Sequence, residues 1–437
     1  MNPTQNCPSN DSRALADSLS APYAAQPEPA LHTPPQGPYG GTHGTSAAHH
    51  APGTQEPASG HRAPDRRRDA ALACVFAVLV LALALVPTGF EDRLPTGTLA
   101  VKARITATDN SNLRQYGVVL EGDQRVEAQV LEGPFEGRRV WADNLFLGKL
   151  ELDRQFKPGD KALVVLTVRG GEIAGAVAQD HYRLDVQLWL LGLFALLLAA
   201  YAGWTGVKAL LSFAFAALAI WKILVPLFLT DHDPILATLA VLCVLMASVL
   251  FLVGGLNRTS LAAYLGSLLG VAATCAMALG FSGAFALHGS VKAYAETLFY
   301  SGYPHLDLTR IFLSTVFLGS SGAVMDLAMD VAASMREVAL HHPGLGYWKL
   351  CASGMRVGRV VVGTMTTTLL LAYSGGSMAL LMVFMAQGVP MANVFNMNHV
   401  AAEVLSTLVG SFGLVLVAPF TALTGAWLLG GRPAGRA

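Results

Sequence analysis

Two carboxylates stand four residues apart in an apolar segment of the chain. Asp326 and Asp330 lie within residues 320–335, whose other side chains are small or apolar. A spacing of four places both carboxylates on one face of a helix, about one turn apart. An ionised carboxylate at the centre of a membrane helix costs roughly 2.5–3.5 kcal/mol on insertion scales, so such residues usually face a bundle interior or a water-filled cavity. The pair therefore predicts a site for a proton or a cation.

A second polar segment follows the aspartates along the chain. Its threonine hydroxyls can bond to neighbouring helices or to carbonyls of their own helix. Its glycine pair interrupts a hydrophobic run and predicts a broken helix, whose free backbone groups can coordinate an ion or a solute. Together with the aspartates, the candidate site comprises Arg356, Arg359, Thr364, Thr366, Thr367, Tyr373, Gly375 and Gly376.

The composition indicates a membrane as the surroundings of this site. Hydrophobic residues make up 53% of the chain and charged residues only 13%, against an average near 25% charged in soluble proteins. The formal net charge is zero, so nothing in the charge balance indicates nucleic acid as a partner. The five cysteines contain no CxxC pair. We therefore predict no disulfide framework, no zinc site and no cofactor.

The N-terminal region divides into a tail and an anchor. Residues 1–65 are rich in Pro, Ala, Gly, Ser and His, and predict a disordered tail that cannot bury enough apolar surface to fold. Residues 66–90 begin with three arginines and continue as an apolar run to Pro87, which predicts a transmembrane anchor. The arginines place its start in the cytoplasm by the positive-inside rule. An Ala-x-Ala pattern at residues 82–84 leaves cleavage of this segment open.

Residues 95–182 change to a two-residue periodicity. Residues 101–106 and 125–130 alternate apolar and polar side chains, and turn sequences such as Gly170-Gly171 separate further short runs. This pattern predicts a small antiparallel β domain, a barrel of about five or six strands. An anchor that starts in the cytoplasm places the domain on the extracytoplasmic face.

Residues 186–430 are almost continuously hydrophobic and predict a polytopic helical bundle of about seven or eight segments. We expect spans near 186–204, 208–229, 234–253, 260–286, 308–335 and 400–429, with two shorter stretches at 358–374 and 376–390. The shorter stretches either cross the membrane or form a re-entrant hairpin, which leaves the side of the C-terminus open. Gly266 and Gly270 form a small-xxx-small pattern, which indicates close helix packing within the chain or against a second copy.

Several short motifs in the second half of the chain resemble those of one family of bacterial membrane proteins. The motifs are Gly322-Ala323-Val324-Met325-Asp326 with Ala328-Met329, then Gly363-Thr364-Met365, and then Ala372-Tyr373-Ser374-Gly375-Gly376. In order and spacing they are similar to the YibE/F family. The resemblance implies an anchor, an outer β domain and a multi-helix bundle in the cell membrane, but no biochemical mechanism. Family members often carry Asn where this chain has Thr367.

Two functional hypotheses follow from these observations. In the first, the chain is a permease-like transporter in which Asp326 and Asp330 bind a proton or a cation. In the second, it is a non-transporting scaffold whose β domain engages an envelope partner, and the aspartates pair with Arg336, Arg356 or Arg359. The sequence contains no nucleophile-and-base motif, phosphate loop or metal signature, so we expect no enzyme. The sequence does not identify a substrate. The predicted bundle has the lipid bilayer as its surroundings.

Overall fold

The computed structural model describes residues 66–90 and 97–430. The segment for which the sequence predicts a disordered tail, residues 1–65, lies outside the described residues. An apolar helix, α1 (Arg66–Leu85), comes first and is followed by a region of six strands and then by ten further helices. Six of the helical segments in the described part of the chain are long and apolar enough to cross a membrane. The protein is therefore mostly helical, with a small β domain.

The β domain is a closed sheet whose core is formed by alternate residues of its long strands. Its elements are β1 (Thr98–Asp109), β2 (Arg114–Tyr116), β3 (Val119–Val130), β4 (Arg139–Leu147), β5 (Lys161–Arg169) and β6 (Glu172–His181). The sheet order is β1-β5-β6-β4-β3-β2, and an additional pairing of β1 with β3 closes the barrel. All pairings are antiparallel except that of β4 with β6. Ala103, Val126 and Val164 lie fully buried inside.

Asp185 joins this barrel to the helix that follows it. Asp185 lies in the first turn of α2 (Leu184–Ala219). Its carboxylate accepts hydrogen bonds from Lys102 Nζ at 2.9 Å and Lys161 Nζ at 2.7 Å, which extend from β1 and β5. The hydrogen bond with Asp185 raises the pKa of the Lys102 ammonium above its ordinary value. Lys102 therefore remains a charged partner of α2 at neutral pH.

The helical segment that begins with α2 folds back on itself at Gly203. The segment continues through a π turn into α3 (Val225–Leu229). Gly203 has φ 56° and ψ −129°, which no helix contains. The rings of Phe194 and Phe213 lie 6.4 Å apart, whereas nineteen residues of straight helix would separate them by about 28 Å. Residues 184–202 and 204–229 are therefore two antiparallel arms of one hairpin.

Replacing Gly203 by alanine is expected to destabilise this hairpin. A side chain at this φ and ψ is strained, and such strain costs about 1–3 kcal/mol. Gly192 offers a matched control in the first arm, because a Cβ there meets nothing within 4 Å. Gly192→Ala should leave the midpoint of thermal denaturation in detergent unchanged or slightly raised. Equal midpoints for the two variants would contradict the hairpin.

The remaining helices complete the bundle. They are α4 (Pro234–Gly254), α5 (Arg258–Ser282), α6 (Ala295–Tyr300), α7 (Leu308–His341), α8 (Tyr347–Gly376), α9 (Met378–Ala386), α10 (Met391–Asn396) and α11 (Asn398–Leu429). Below, the end of the bundle at which α1 begins is the anchor side, and the opposite end is the β-domain side.

Contacts along α1 fix its direction relative to the second hairpin arm. Lys208 Nζ lies 3.7 Å from Asp69, near the start of α1. Lys222 Nζ donates to Val86 O at 3.0 Å, just beyond the end of α1. The two helices therefore run parallel, and Lys208 marks the anchor side.

Close glycine contacts fix the direction of α11. A Cβ on Gly266 would lie 2.8 Å from Thr421 Cα, and one on Gly270 would lie 2.9 Å from Val417 Cβ. Such contacts permit the backbones of α5 and α11 to approach closely. Gly266 contacts Thr421, whereas Gly270, further along α5, contacts the earlier residue Val417 of α11. The two helices are therefore antiparallel. The small-xxx-small pair therefore packs inside the chain.

The C-terminal part of the bundle differs from the two short stretches that the sequence predicts. Residues 358–374 belong to α8, which begins earlier, at Tyr347, and runs antiparallel to α11 through contacts such as Gly358 with Ala418. Residues 376–390 do not form one helix, because α8 ends at Gly376 and the short helix α9 ends at Ala386. Since α8 ends and α11 begins on the β-domain side, α11 ends on the anchor side.

An ion pair ties the starts of α4 and α7 together on the β-domain side. Asp233 caps α4 by accepting from the backbone N–H groups of Ile235 and Leu236, and Arg310 donates to the same carboxylate. Partial burial raises the pKa of Asp233, but the hydrogen bonds from Ile235, Leu236 and Arg310 outweigh it and hold the pKa below its ordinary value of 3.8. The charge therefore stabilises the fold above that pH, and its contribution is lost as the pH falls through the lowered pKa.

Two substitutions separate the cap from the ion pair. Asp233→Ala loses both, and loss of a cap costs about 0.5–2 kcal/mol. Asp233→Asn keeps the cap, because Asn is an equally good capping residue, and should lose only the pH-dependent part. Thermal midpoints in detergent at pH 7 and pH 3 would show this. If the thermal midpoints of wild type and Asp233→Asn decrease equally below pH 3.8, the ion pair is contradicted.

Candidate functional site

The two aspartates lie on an exposed stripe of α7. Asp326 and Asp330 are both solvent-accessible in the isolated chain, whereas Leu327, Ala328 and Val331 beside them are completely buried. The helix therefore directs its apolar face into the bundle and its acidic face outward. From Thr315 to Glu337 the stripe is otherwise formed by small or polar residues, namely Thr315, Gly319, Gly322, Ala333 and Glu337. Beyond Glu337 the exposed Leu340 follows.

Contacts at the two ends of α7 indicate how deep the aspartates lie. Arg310 pairs with Asp233 at the β-domain side. Arg336 shares a cavity with Asn257, which precedes α5 on the anchor side. Asp326 lies about 24 Å along the helix from Arg310, and Asp330 about 9 Å from Arg336. Both carboxylates are therefore within the span, in the half nearer the anchor side.

The aspartates have no cationic partner in the part of the chain that the structure describes. No ion pair within 4 Å joins Asp326 or Asp330 to Arg336, Arg356 or Arg359. All three arginines are exposed. The network of paired charges expected for a scaffold is thus not formed within the described residues.

The threonines of α8 bond to their own helix. Thr364 donates to Val361 O at 3.0 Å, Thr366 to Val362 O at 2.8 Å and Thr367 to Gly363 O at 3.3 Å. Of the two alternatives from the sequence, bonding within the helix is therefore the one found. These hydroxyls do not link α8 to its neighbours.

Tyr373 and the glycine pair lie at the β-domain end of α8. The Tyr373 hydroxyl approaches α7, 3.3 Å from the point that a Cβ on Gly319 would occupy. Gly319 lies two turns from Asp326, about 10 Å along the helix. Gly375 and Gly376 are exposed and still helical, and the break follows them at Ser377. The expected interruption therefore ends a helix and does not divide one.

The structure also brings together charges that the sequence analysis did not connect. Lys292 Nζ lies 2.7 Å from Glu403 of α11 on the β-domain side. Lys208 is buried on the anchor side, where its Nζ lies 3.5 Å from Val253 O and near Asp69. In the sequence, Lys208 and Lys292 are visible only as isolated charges at the ends of apolar segments. Their charged partners, Asp69 and Glu403, are more than a hundred residues away along the chain. Within the described residues, no group of three or more His, Cys, Asp or Glu could hold a metal ion.

Comparison with known proteins identifies the family. The model of the family described as YibE/F-like protein matches residues 190–431. This match covers more than half of the chain, including the whole of α7 and α8, but neither α1 nor the β domain. Neither the curated proteins nor the solved structures give a significant match. The family expected from the sequence motifs is confirmed, and the chain belongs to the YibE/F-like family of multi-pass membrane proteins.

Proposed function

We propose that this protein is a permease-like transporter in which Asp326 and Asp330 bind a proton or a cation during transport. One observation carries the proposal. Both carboxylates lie within the span on the exposed face of α7, and no described cationic side chain neutralises them. A structural role would require a partner of opposite charge.

The energetic argument concerns what covers this face. Lipid chains cannot solvate a carboxylate, and one at the centre of a membrane helix costs roughly 2.5–3.5 kcal/mol on insertion scales. Hydration, proton binding or cation binding each lowers that cost. The small side chains of Gly319, Gly322 and Ala333 leave room for water along the same stripe. The face therefore suits a hydrated path that ends on the anchor side.

The orientation is part of the proposal. Eight helical segments would cross the cell membrane: α1, the two arms of the hairpin, α4, α5, α7, α8 and α11. Lys208, Arg258, Lys349, Arg356 and Arg359 belong to the anchor side or the half of the span nearest to it, which supports a cytoplasmic anchor side by the positive-inside rule. Both chain ends would then be cytoplasmic and the β domain extracytoplasmic.

A scaffold function remains the second candidate because of the barrel surface. The outward face of β4 carries Trp141, Leu145 and Leu147, each more than half exposed, and Tyr116 and Val118 continue the apolar surface along β2 and the turn to β3. Exposed apolar patches of this kind mark contact surfaces. An envelope protein that binds β4 is the partner this candidate requires.

Proton flux into reconstituted vesicles tests the leading proposal. A potassium diffusion potential would drive protons into vesicles that contain a pH-sensitive dye, in the presence and absence of sodium. Wild type should exceed protein-free vesicles, and Asp326→Asn and Asp330→Asn should each fall to the protein-free rate. Asp231→Asn is the control, because Asp231 is an exposed loop residue with φ 54°, which Asn tolerates. Equal proton flux in wild type and in both variants, with and without sodium, would contradict the proposal.

A further inference from the structure

An ion pair on the β-domain side joins the loop before α6 to α11, close to α7. Lys292 follows a single helical turn at Gly289–Val291, and its Nζ lies 2.7 Å from the Glu403 carboxylate of α11. The same Nζ lies 5.6 Å from the centre of the Phe312 ring of α7. The side chains of Lys292 and Glu403 are 41% and 30% exposed. The pair is therefore accessible from the β-domain side.

Glu403 lies on the face of α11 that packs against α7 and α8. A Cβ on Gly410 would lie 3.1 Å from Leu369 Cδ2 of α8 and 3.2 Å from Ser320 Cβ of α7, so this side of α11 faces both helices. Glu403 precedes Gly410 by about two turns and therefore has nearly the same direction around the helix. Glu403 is thus placed at the β-domain end of the region where α7, α8 and α11 meet.

Tyr373 of α8 lies between Glu403 and the aspartate pair in depth. Leu369 lies beside Gly410, and α8 and α11 are antiparallel, so Glu403 is about one turn nearer the β-domain side than Tyr373. The charge of Glu403 is close enough to act on the Tyr373 hydroxyl. That hydroxyl forms no hydrogen bond with another described residue, and it approaches Gly319 of α7. A phenol hydroxyl both accepts and donates hydrogen bonds, so it can connect Glu403 to α7 through water.

Small residues lead from Tyr373 to the aspartate pair. Gly319, Gly322 and Asp326 follow one another at intervals of about one turn on the exposed stripe of α7. A Cβ on Gly322 would meet nothing within 4 Å, so the space beside this part of the helix is open. About three water molecules, with oxygens about 2.8 Å apart, cover the distance of about 10 Å along the helix from Gly319 to Asp326. One short water chain can therefore join the hydroxyl to the carboxylate.

The groups along this line suit a proton better than a metal cation. A proton binds to a single carboxylate oxygen, whereas a metal cation must displace Lys292 from Glu403 and gather several oxygen ligands. Within the described residues, no three His, Cys, Asp or Glu side chains come together to supply such ligands. Water and a phenol hydroxyl can pass a proton without a coordination shell.

We infer that the ion used by Asp326 and Asp330 is a proton, which exchanges with the β-domain side at Glu403 and passes Tyr373. This inference rests on the proposed transport function and names its ion. Glu403 releases its proton to water and pairs again with Lys292. The Tyr373 hydroxyl accepts a proton from that side while its own proton moves through water to Asp326. The hydroxyl is thereby unchanged, and the Asp326 carboxylate becomes neutral.

Proton flux through the reconstituted full-length protein tests this path. Tyr373→Phe removes the hydroxyl but keeps the ring, and should lower the flux about a hundredfold, the lower end of the contribution of a positioned proton-transfer group. Glu403→Gln should lower the flux to a similar extent, while the melting temperature stays nearly unchanged because the ion pair is partly exposed. Tyr373→His restores a side chain that exchanges protons and should recover part of the flux.

Tyr300→Phe and Glu296→Gln are the matched controls, because both residues are exposed on α6, on the same side of the bundle but outside the path. Both variants should transport protons as wild type does.

Three results would overturn the path and leave the transport proposal standing. The first is wild-type flux in Tyr373→Phe or Glu403→Gln when Asp326→Asn has lost it. The second is a Tyr373→His variant that transports no better than Tyr373→Phe, which would reduce Tyr373 to a packing role. The third is a wild-type protein that transports sodium but not protons. Wild-type flux of neither ion above that of protein-free vesicles would overturn both the path and the transport proposal.

Discussion

Asp326→Asn and Asp330→Asn are each expected to abolish ion-coupled activity without lowering the thermal stability of the protein in detergent. Asn is nearly isosteric with Asp and removes only the charge. Because no described cation pairs with either carboxylate, the substitution leaves no buried charge without a partner. Removal of a carboxylate that costs energy within the span should leave the melting temperature unchanged or raised.

The same variants give the opposite result if the carboxylates neutralise arginines. Loss of one partner from a buried ion pair costs roughly 3–5 kcal/mol. The melting temperature would then fall sharply, and Arg356→Gln and Arg359→Gln would reproduce that decrease. Unchanged stability with intact activity in both aspartate variants would exclude both functional hypotheses for the pair.

Gly266→Ala is expected to cause the largest loss of folded protein among single methyl additions to α5. The new Cβ would overlap Thr421 Oγ1 and would lie 2.8 Å from Thr421 Cα. A hydroxyl can rotate away but a Cα cannot, so α5 and α11 must separate. Overpacking typically costs about 1–3 kcal/mol, and a contact with backbone lies at the upper end of that range or above it.

Gly280 is the matched control on the same helix. A Cβ at Gly280 meets nothing within 4 Å, so Gly280→Ala should give a wild-type yield and a wild-type profile in size-exclusion chromatography. Gly266→Ala should give aggregated or degraded protein. If both variants yield folded monodisperse protein with equal melting temperatures, α5 and α11 do not pack as described.

Regular side-chain patterns explain why much of the fold could be predicted. In β1 and β3, alternate residues are buried, and the period-two alternation of residues 101–106 and 125–130 reports this directly. The sequences of β5 and β6 are instead nearly continuous apolar runs. β4 has the same alternation as β1 and β3, with Ala142 and Phe146 inside, but the exposed Trp141, Leu145 and Leu147 obscured it. The apolar segments likewise report helices, because each backbone group within a membrane must bond inside its own segment.

Features that depend on distant contacts could not be predicted. The start of α8 at Tyr347 lies in a polar stretch that resembles a loop, yet Gly354 packs against Met335 and Gly358 against Ala418. The hairpin depends on one backbone conformation at Gly203. Glycine permits that conformation, but a glycine in the sequence does not by itself predict it. For the site, the spacing of Asp326 and Asp330 predicted a shared face. That no arginine among the described residues pairs with them could only be learned from the packed helices.

The central claim is that water reaches the face of α7 that carries Asp326 and Asp330. The most direct measurement is the labelling rate of Gly322→Cys, in a background without the five native cysteines, by a charged membrane-impermeant thiol reagent in vesicles. Gly322 is exposed one turn from Asp326, and a Cβ there meets nothing within 4 Å. Leu190→Cys, exposed on the first arm of the α2 hairpin, is the lipid-facing control. We predict fast labelling at position 322 and none at position 190. Labelling of position 322 by a lipid-soluble maleimide alone would contradict the account.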